Sequence, residues 1–224
     1  NIEVVRATLA KNDYVYLRPI GKGGFASVFL IYSNQYSLQF VVKVSDYKGS
    51  RKSDSKESNT GFDLNEINNL INLNHPNIIN MYKYFTDDQY LYIVLEYCEG
   101  GSLDDLIKQN GPVRPPTLYN YCHQMLTALK HCHDLKISHS DIKPANVLID
   151  KNNRLKLADF GLSKGFSPKL FHTEGCEKSS INDHSIGKNG QILTKHFGGS
   201  KPYMSPELIQ LTAYDPFKAD IWSM

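Results

Sequence analysis

The sequence predicts an α+β protein with two lobes: a small antiparallel β-sheet lobe with one helix, then a mainly helical lobe. Two observations predict this fold class. Segments rich in β-branched and aromatic residues, typical of strands, dominate the first part of the 224-residue chain. From Ser102 onward, apolar residues recur at the helical spacing of three and four. We expect an N-terminal extension over residues 1–13, a first lobe over 14–97 and an incomplete second lobe over 98–224, with the boundary near 98–101.

The first lobe is predicted to contain five strands and one helix. The strands are expected over residues 14–20, 25–32, 38–45, 82–85 and 90–96, where Val, Ile, Tyr and Phe are frequent. The helix is expected over roughly residues 63–74. The polar residues 46–62 before it are predicted to form a loop.

The second lobe is predicted to begin with two helices. Ser102, with Asp105 three residues later, has the pattern of a capping box, and Gly111 is expected to end this helix. Thr117 is predicted to cap a second, longer helix. Its apolar residues should form one buried stripe, consisting of Leu118, Tyr121, Cys122, Met125, Leu126, Leu129 and Cys132.

A short hairpin and a long polar segment are predicted after these helices. The hairpin strands are expected over residues 147–149 and 155–158, with the turn at Asn152 and Asn153. Residues 163–200 are polar, contain glycine and show no regular periodicity.

Composition and charge exclude several classes of protein. Hydrophobic residues make up 41% and charged residues 21% of the chain, as in ordinary globular domains. A formal net charge of +2 is too small to indicate binding to nucleic acid or to an anionic membrane surface. The apolar stretches are too short to cross a bilayer. The four cysteines have no paired spacing, which indicates a reducing compartment. With no signal peptide visible, we expect a cytoplasmic protein, with the nucleus as the alternative, and the oligomeric state is not predicted.

Four side chains in two neighbouring motifs carry the most chemistry. Asp141, Lys143 and Asn146 lie within six residues, and Asp159 follows closely before a phenylalanine and a glycine. Two carboxylates, one cation and one amide oxygen are what a site needs to hold magnesium and a nucleotide and to orient a hydroxyl. The alternative is a polar loop that merely contains these residue types, which the length of the motif disfavours.

The run His-Ser-Asp-x-Lys-x-x-Asn from residue 139, followed by Asp-Phe-Gly from residue 159, resembles the catalytic loop and metal-binding motif of eukaryotic protein kinases. The resemblance implies that Asp141 accepts the proton of a substrate hydroxyl, or orients it, and that Lys143 balances charge on the transferred phosphoryl group. It implies that Asn146 and Asp159 hold Mg²⁺. The proline after Lys143 is similar to serine/threonine kinases rather than tyrosine kinases. The implied partner is a protein substrate, and the implied phosphoryl donor is ATP.

A glycine-rich stretch separates the first two predicted strands. An ordinary hairpin turn, a dinucleotide-binding fingerprint and a phosphate-covering flap are the alternatives. The dinucleotide motif needs a helix next, whereas a strand pattern follows here, and the P-loop ending Gly-Lys-Ser/Thr is absent. The absence of a P-loop excludes a nucleotide-binding switch protein. The stretch resembles the kinase glycine-rich loop, and the ATP-contacting residues implied in this region are Ile20, Gly21, Lys22, Gly23, Gly24, Val28 and Val41.

Lys43 lies within an apolar predicted strand, and Glu66 lies on one helical face with Leu70 and Leu73. A buried ammonium needs an anionic partner, although a lysine can also extend from an edge strand to water. Glu66 could equally belong to a capping box. Together the two resemble the kinase lysine–glutamate ion pair, in which Lys43 contacts the α- and β-phosphates. By the same resemblance, the Glu96 carbonyl and the Cys98 amide contact the edge of adenine.

Four further positions follow from the resemblance. Ser140 replaces the arginine that pairs with an activation-loop phosphate in many kinases, so we expect activity without this phosphate clamp. The Ser200 hydroxyl is expected to meet the catalytic aspartate and lysine, and Ser205 replaces the usual alanine. Asp220 is expected to hold the backbone amides of the catalytic loop. We expect the remaining helices of the second lobe, with an arginine for Glu207, to lie outside this sequence.

The function predicted is ATP-dependent phosphorylation of serine or threonine in proteins. The alternative is a pseudokinase or scaffold that binds nucleotide or partners without phosphoryl transfer. A zinc site is a weaker hypothesis, because its candidate ligands have spacings unlike structural zinc motifs. These candidates are His172, Cys176, His184 and His196.

Overall fold

The computed structural model describes residues 2–22, 26–47, 61–166, 184–186, 192–195 and 197–224, with the backbone alone at 61–65, 184 and 186. The chain forms two compact units. One comprises residues 1–74 and 79–99, and the other comprises 75–78 and 100–224. Residues 75–78 therefore belong to the second unit, although they lie inside the range predicted for the first lobe.

The first unit contains an antiparallel sheet and two helices, which agrees with the predicted α+β class. Its strands lie in the order β1-β2-β3-β5-β4. The predicted strands are present with ends shifted by up to two residues, and the helix predicted over 63–74 begins and ends two residues earlier. The elements are α1 Ile2–Lys11, β1 Tyr14–Lys22, β2 Ala26–Ser33, β3 Leu38–Asp46, α2 Gly61–Asn72, β4 Met81–Thr86 and β5 Tyr90–Glu96.

The two faces of the sheet have separate cores because neighbouring strand residues point to opposite faces. On β5, Leu91 and Ile93 pack with Ile67 of α2. Tyr92 and Val94, on the other face, belong to a larger cluster with residues of α1. Helix α1 thus covers the face opposite α2.

Helix α1 was not predicted, because residues 1–13 contain only one short apolar repeat. Val5 and Leu9 are four residues apart and are both buried, at 4% and 0% exposure. They occupy one helical face, which is the signal that the sequence offered. The predicted N-terminal extension is therefore a helix packed on the sheet.

The second unit is mainly helical, with short two-stranded ladders. The pairs are β6–β9, β7–β8 and β10–β11, all antiparallel. The predicted hairpin is present as β7 and β8. The elements are α3 Leu103–Asn110, α4 Thr117–Asp134, β6 Ile137–Ser138, β7 Val147–Ile149, β8 Leu155–Leu157, β9 Lys164–Gly165, β10 His184–Ile186, β11 Ile192–Thr194, α5 Pro206–Ile209 and α6 Pro216–Trp222.

The predicted ends of α3 are confirmed, whereas the predicted start of α4 is wrong. Ser102 and Asp105 form the capping box, and Gly111 ends α3 with a φ of 78°. At α4, Pro116 occupies the N-cap position without a side-chain hydrogen bond, and Thr117 is the first helical residue. The Thr117 side chain therefore does not cap the helix.

The buried stripe of α4 is narrower than predicted and is shifted around the helix. Its buried residues are Tyr121, Met125, Ala128, Leu129 and Cys132. Leu118, Cys122 and Leu126 are exposed. At 3.6 residues per turn, Cys122 and Leu126 lie progressively further round the edge of the stripe. Ala128 was missed because a small side chain adds little to a hydrophobic pattern.

Residues 75–78 are anchored to the second unit through Asn77. Its side-chain amide donates to Gln124 Oε1 at 2.8 Å and to the Leu155 carbonyl at 2.9 Å. Its carbonyl accepts from the Leu157 amide at 2.9 Å. Its own N–H donates to His75 Nδ1 at 3.1 Å, which requires an unprotonated Nδ1.

We expect this anchor to make stability depend on pH. Burial, then the neighbouring His131 and Lys156, lower the pKa of His75 below its ordinary value of 6.5. The unfolded chain therefore binds a proton at His75 more readily, so its contribution to stability is lost as pH falls through about 6.5. Urea unfolding between about pH 7.5 and pH 5.5 should show a smaller loss of unfolding free energy for His75→Asn than for the unmodified protein. An identical loss in both proteins would contradict this assignment.

Candidate active site

Asp220 of α6 holds the backbone of the loop that follows β6. Its side chain is 1% exposed and accepts from the amides of His139 and Ser140, each at 2.8 Å. It also lies 2.9 Å from His133 Nε2. The contact with the two amides was predicted, whereas the contact with His133 was not.

The buried ring of His139 connects this loop to the segment before Asp159. Its Nδ1 lies 3.3 Å from the Asp141 amide, which donates to it, so Nε2 carries the proton. Nε2 then donates to the Ala158 carbonyl at 2.9 Å. The ring also packs edge-on against Phe160, with centroids 4.7 Å apart.

The carboxylate of Asp141 is the centre of a dense polar cluster. Lys143 Nζ donates to its Oδ2 at 2.6 Å, and the Ser200 hydroxyl donates to its Oδ1 at 2.9 Å. Asn146 Nδ2 donates to the Asp141 carbonyl at 2.8 Å and to Oδ2 at 3.0 Å. Lys143 also reaches Ser200 Oγ at 2.8 Å. The structure therefore brings together the three predicted loop residues and Ser200.

Gly199 allows Ser200 to approach Asp141, and this role of Gly199 was not predicted from the sequence. Its φ of +111° is a conformation that side chains disfavour. A Cβ at this position would lie 2.9 Å from the Ser140 carbonyl oxygen. The only available signal was the Gly-Gly pair before Ser200.

Ser140 supplies no cation at the position where many kinases have arginine. Its amide is held by Asp220, and its hydroxyl lies 3.1 Å from the hydroxyl of Ser138. Its φ is 67°, in the left-handed region. The backbone of the loop therefore keeps its contacts with Asp220 although the side chain is small and neutral.

The hairpin β7–β8 places Asn146 and Asp159 at the same end. Val147 pairs with Leu157, and the Ala158 amide donates to the Asn146 carbonyl at 2.9 Å. Asp159 follows with φ 60° and ψ 69° and is exposed.

These two side chains suit a divalent cation that prefers oxygen ligands. The Asn146 amide nitrogen donates to Asp141, so the Asn146 amide oxygen is the atom suited to bind a metal, and Asp159 has a carboxylate. Across the described part of the chain, no group of three or more His, Cys, Asp or Glu side chains could hold a metal ion. A pair of oxygen ligands, completed by phosphate and water, is typical of Mg²⁺. The candidates of the zinc hypothesis lie outside the described residues or, for His184, outside the described side chains.

In the first unit, the predicted ion pair is present. Lys43 Nζ lies 2.9 and 2.8 Å from the two carboxylate oxygens of Glu66. The Glu66 side chain is 2% exposed and the Lys43 side chain 17%. Lys43 is therefore held by a buried bidentate partner and does not extend from an edge strand.

Strand register places Gly21 in the same cross-strand row as Lys43, with Val28 between them. Gly21 pairs with Val28, and Val28 pairs with Lys43. Ile20 and Lys22 lie on β1, at the same end as Gly21. Gly23 and Gly24 lie outside the described residues. Val41 lies on β3 opposite Leu95.

Glu96 and Cys98 lie at and just beyond the end of β5. The Glu96 carboxylate accepts from the amide and side chain of Asn80, at 3.3 and 3.0 Å. The Cys98 side chain is buried. The contact with Asn80 fixes the end of β5 and was not predicted.

Comparison with known proteins gives one consistent family. A family model described as "Protein kinase domain" matches residues 14–224. Testis-specific serine/threonine-protein kinase 1 of Mus musculus is 35% identical over 97% of this chain and 54% of its own length. Serine/threonine-protein kinase ppk11 of Schizosaccharomyces pombe is 36% identical over 96% of this chain and 60% of its own length. The chain spans about half the length of the curated relatives it matches.

Proposed function

The chain belongs to the protein kinase family, and we propose that the protein transfers the γ-phosphoryl group of ATP to serine or threonine hydroxyls of protein substrates. The observation that carries this proposal is the cluster around Asp141: its carboxylate and the Lys143 ammonium both contact the Ser200 hydroxyl, and the Asn146 amide donates to the carboxylate. Relatives named serine/threonine-protein kinases support the choice of acceptor.

Asp141 is proposed to orient the acceptor hydroxyl and to receive its proton. Its Oδ1 already accepts a hydrogen bond from an alcohol, that of Ser200, at 2.9 Å. In the transfer, the acceptor oxygen bonds to the γ-phosphorus while the bond from that phosphorus to the β–γ bridging oxygen breaks, releasing ADP. Lys143, 2.6 Å from Asp141, is proposed to balance the charge of the moving phosphoryl group.

Lys43 is proposed to contact the α- and β-phosphates of ATP, with Glu66 holding its ammonium in place. The bidentate contact and the burial of Glu66 support this role. The glycine-rich residues are proposed to cover the phosphates through their backbone amides. Ile20, Val28 and Val41 are proposed to contact adenine, and the backbone of Glu96 and Cys98 to bind its edge.

Mg²⁺ is proposed to bind Asn146 and Asp159, where it would neutralise phosphate charge. We expect chelation with EDTA to abolish transfer and added Mg²⁺ to restore it. Asp159→Asn, which removes the carboxylate ligand, should weaken metal-dependent activity by roughly tenfold to a hundredfold, as judged by the Mg²⁺ concentration for half-maximal rate. Asp88→Asn, at an exposed turn, is the matched control. An unchanged Mg²⁺ requirement in Asp159→Asn would contradict the metal assignment.

The test of the proposed function is transfer of labelled phosphate from ATP to a peptide pool containing serine, threonine and tyrosine acceptors. Label on serine and threonine is the expected result. Label on tyrosine alone would overturn the acceptor class. Nucleotide binding without any label would favour the pseudokinase or scaffold alternative, which no observation on this chain supports.

The cytoplasmic location stays a prediction from the unpaired spacing of the cysteines and the lack of a visible signal peptide. The absence of nucleic-acid and membrane partners stays a prediction from net charge and composition. Within the described ranges, no helix is long and apolar enough to span a membrane.

A further inference from the structure

Helix α1 lies outside the matched kinase domain yet shares a core with it. The family model begins at Tyr14, whereas α1 ends at Lys11. Val5 and Leu9 nevertheless belong to the same buried cluster as residues of the sheet. Leu9, at 0% exposure, is as deeply buried as any residue of that cluster.

The apolar cluster that α1 joins includes residues of the strand that carries Lys43, although α1 itself packs mainly against β1. Val42 and Val44 flank Lys43 on β3 and point to the α1 face, with 0% and 5% exposure. Lys43 points to the other face, where Glu66 of α2 binds it. Strand β3 therefore has contacts on both faces: Val42 and Val44 lie in the apolar cluster that α1 completes, and Lys43 forms the ion pair with Glu66 of α2.

Asp87, in the turn between β4 and β5, connects α1 to the sheet through hydrogen bonds. Its Oδ2 accepts from Thr8 Oγ1 at 2.8 Å and from the hydroxyl of the fully buried Tyr92 at 2.6 Å. Its Oδ1 accepts from the amides of Gln89 and Tyr90 at 2.8 and 2.7 Å. Burial raises the pKa of Asp87, but these hydrogen bonds outweigh that effect and lower it below the ordinary value. An ionised carboxylate thus joins helix, turn and sheet core.

We propose that α1 is a brace that positions Lys43 for ATP from the opposite face of the sheet, and that the Thr8–Asp87 hydrogen bond is the latch of this brace. The role for ATP rests on the proposed function. Negative charge on residue 8 would lie against the Asp87 carboxylate and would repel it. A phosphoryl group on Thr8 would have the same effect, so the latch is a point at which modification could release α1.

The decisive variant is Thr8→Glu in the full-length protein, with Ala7→Glu as the matched control on the exposed side of α1. Thr8→Glu should raise the KM for ATP about fivefold, the factor that corresponds to one lost hydrogen bond, with the KM for peptide unchanged. It should also speed amide hydrogen exchange in β3, residues 38–46. Ala7→Glu and the conservative Thr8→Ser should behave as the unmodified protein.

The double variant Thr8→Glu with Asp87→Asn distinguishes charge repulsion between residues 8 and 87 from unfolding of the protein. The neutral amide can donate to the new carboxylate, so both the KM for ATP and the exchange rate should return towards their original values. If Thr8→Glu does not fold, Thr8→Val replaces it, because it removes the hydroxyl without adding charge. If Thr8→Glu left amide hydrogen exchange in β3 unchanged, or raised the KM for ATP and the KM for peptide equally, the proposed brace would be wrong. Absence of transfer by the unmodified protein would overturn the proposed function, while exchange in β3 would still decide on the brace.

Discussion

Asp141→Asn is expected to lower kcat by about 10²- to 10⁴-fold while leaving the affinity for ATP unchanged. The amide has nearly the same shape as the carboxylate but cannot receive the proton of an acceptor hydroxyl. Asp141 is 8% exposed and accepts from Lys143 and Ser200, so it is placed to act on such a hydroxyl. Steady-state kinetics with a serine peptide measure the change.

Asp104→Asn is the control for this substitution, because the contact of Asp104 among the described residues is a surface ion pair with Lys108. Its kcat should stay within about twofold of the original, as exposed pairs contribute little. A twofold change in Asp141→Asn as well, with unaltered thermal stability, would contradict the role given to Asp141.

Asp220→Ala is expected to have the largest effect on stability. It would leave two loop amides, those of His139 and Ser140, without their acceptor, and it would remove a carboxylate that is 1% exposed. Loss of one partner from a buried charged network costs about 3–5 kcal/mol. We expect a loss of this size in chemical denaturation, together with a lower kcat, because the displaced loop carries Asp141.

Asp220→Asn should have an intermediate effect, since one amide oxygen can still accept one hydrogen bond. The environment of Asp220 is strongly desolvated: burial, then the charge of Asp220, raises the pKa of both Cys132 and Tyr214 to about 12. Asp134→Asn, at an exposed surface pair with Lys130, is the control and should leave the free energy of unfolding essentially unchanged. Equal losses in Asp134→Asn and Asp220→Ala would show that the loop does not depend on Asp220.

The catalytic loop could be predicted because its chemistry is local in sequence. Asp141, Lys143 and Asn146 lie within six residues, and short-range geometry brings them together once the loop is anchored. The anchors themselves come from distant positions. Asp220 and Ser200 were identified only through the resemblance to kinases, since no local pattern links them to residue 141.

The elements that were missed depend on tertiary contacts. Helix α1 has one short apolar repeat, and its position is set by the packing of Val5 and Leu9 in the apolar cluster on one face of the sheet. The buried stripe predicted for α4 was too wide, because Leu126 is apolar but lies at the exposed edge of the stripe. The tight conformation of Gly199 follows from the Ser140 carbonyl opposite it, which the sequence around residue 199 does not reveal.

The measurement that tests the central claim most directly is a single-turnover assay, with full-length protein in excess over labelled ATP and a serine peptide present. The unmodified protein should convert bound ATP to ADP and phosphopeptide at about 1–100 per second, the usual range for kinases. Asp141→Asn should bind ATP with the same Kd and leave it intact on that timescale. Equal amounts of phosphopeptide from both proteins, or ATP that the unmodified protein binds but never transfers, would contradict a phosphoryl-transfer function centred on Asp141.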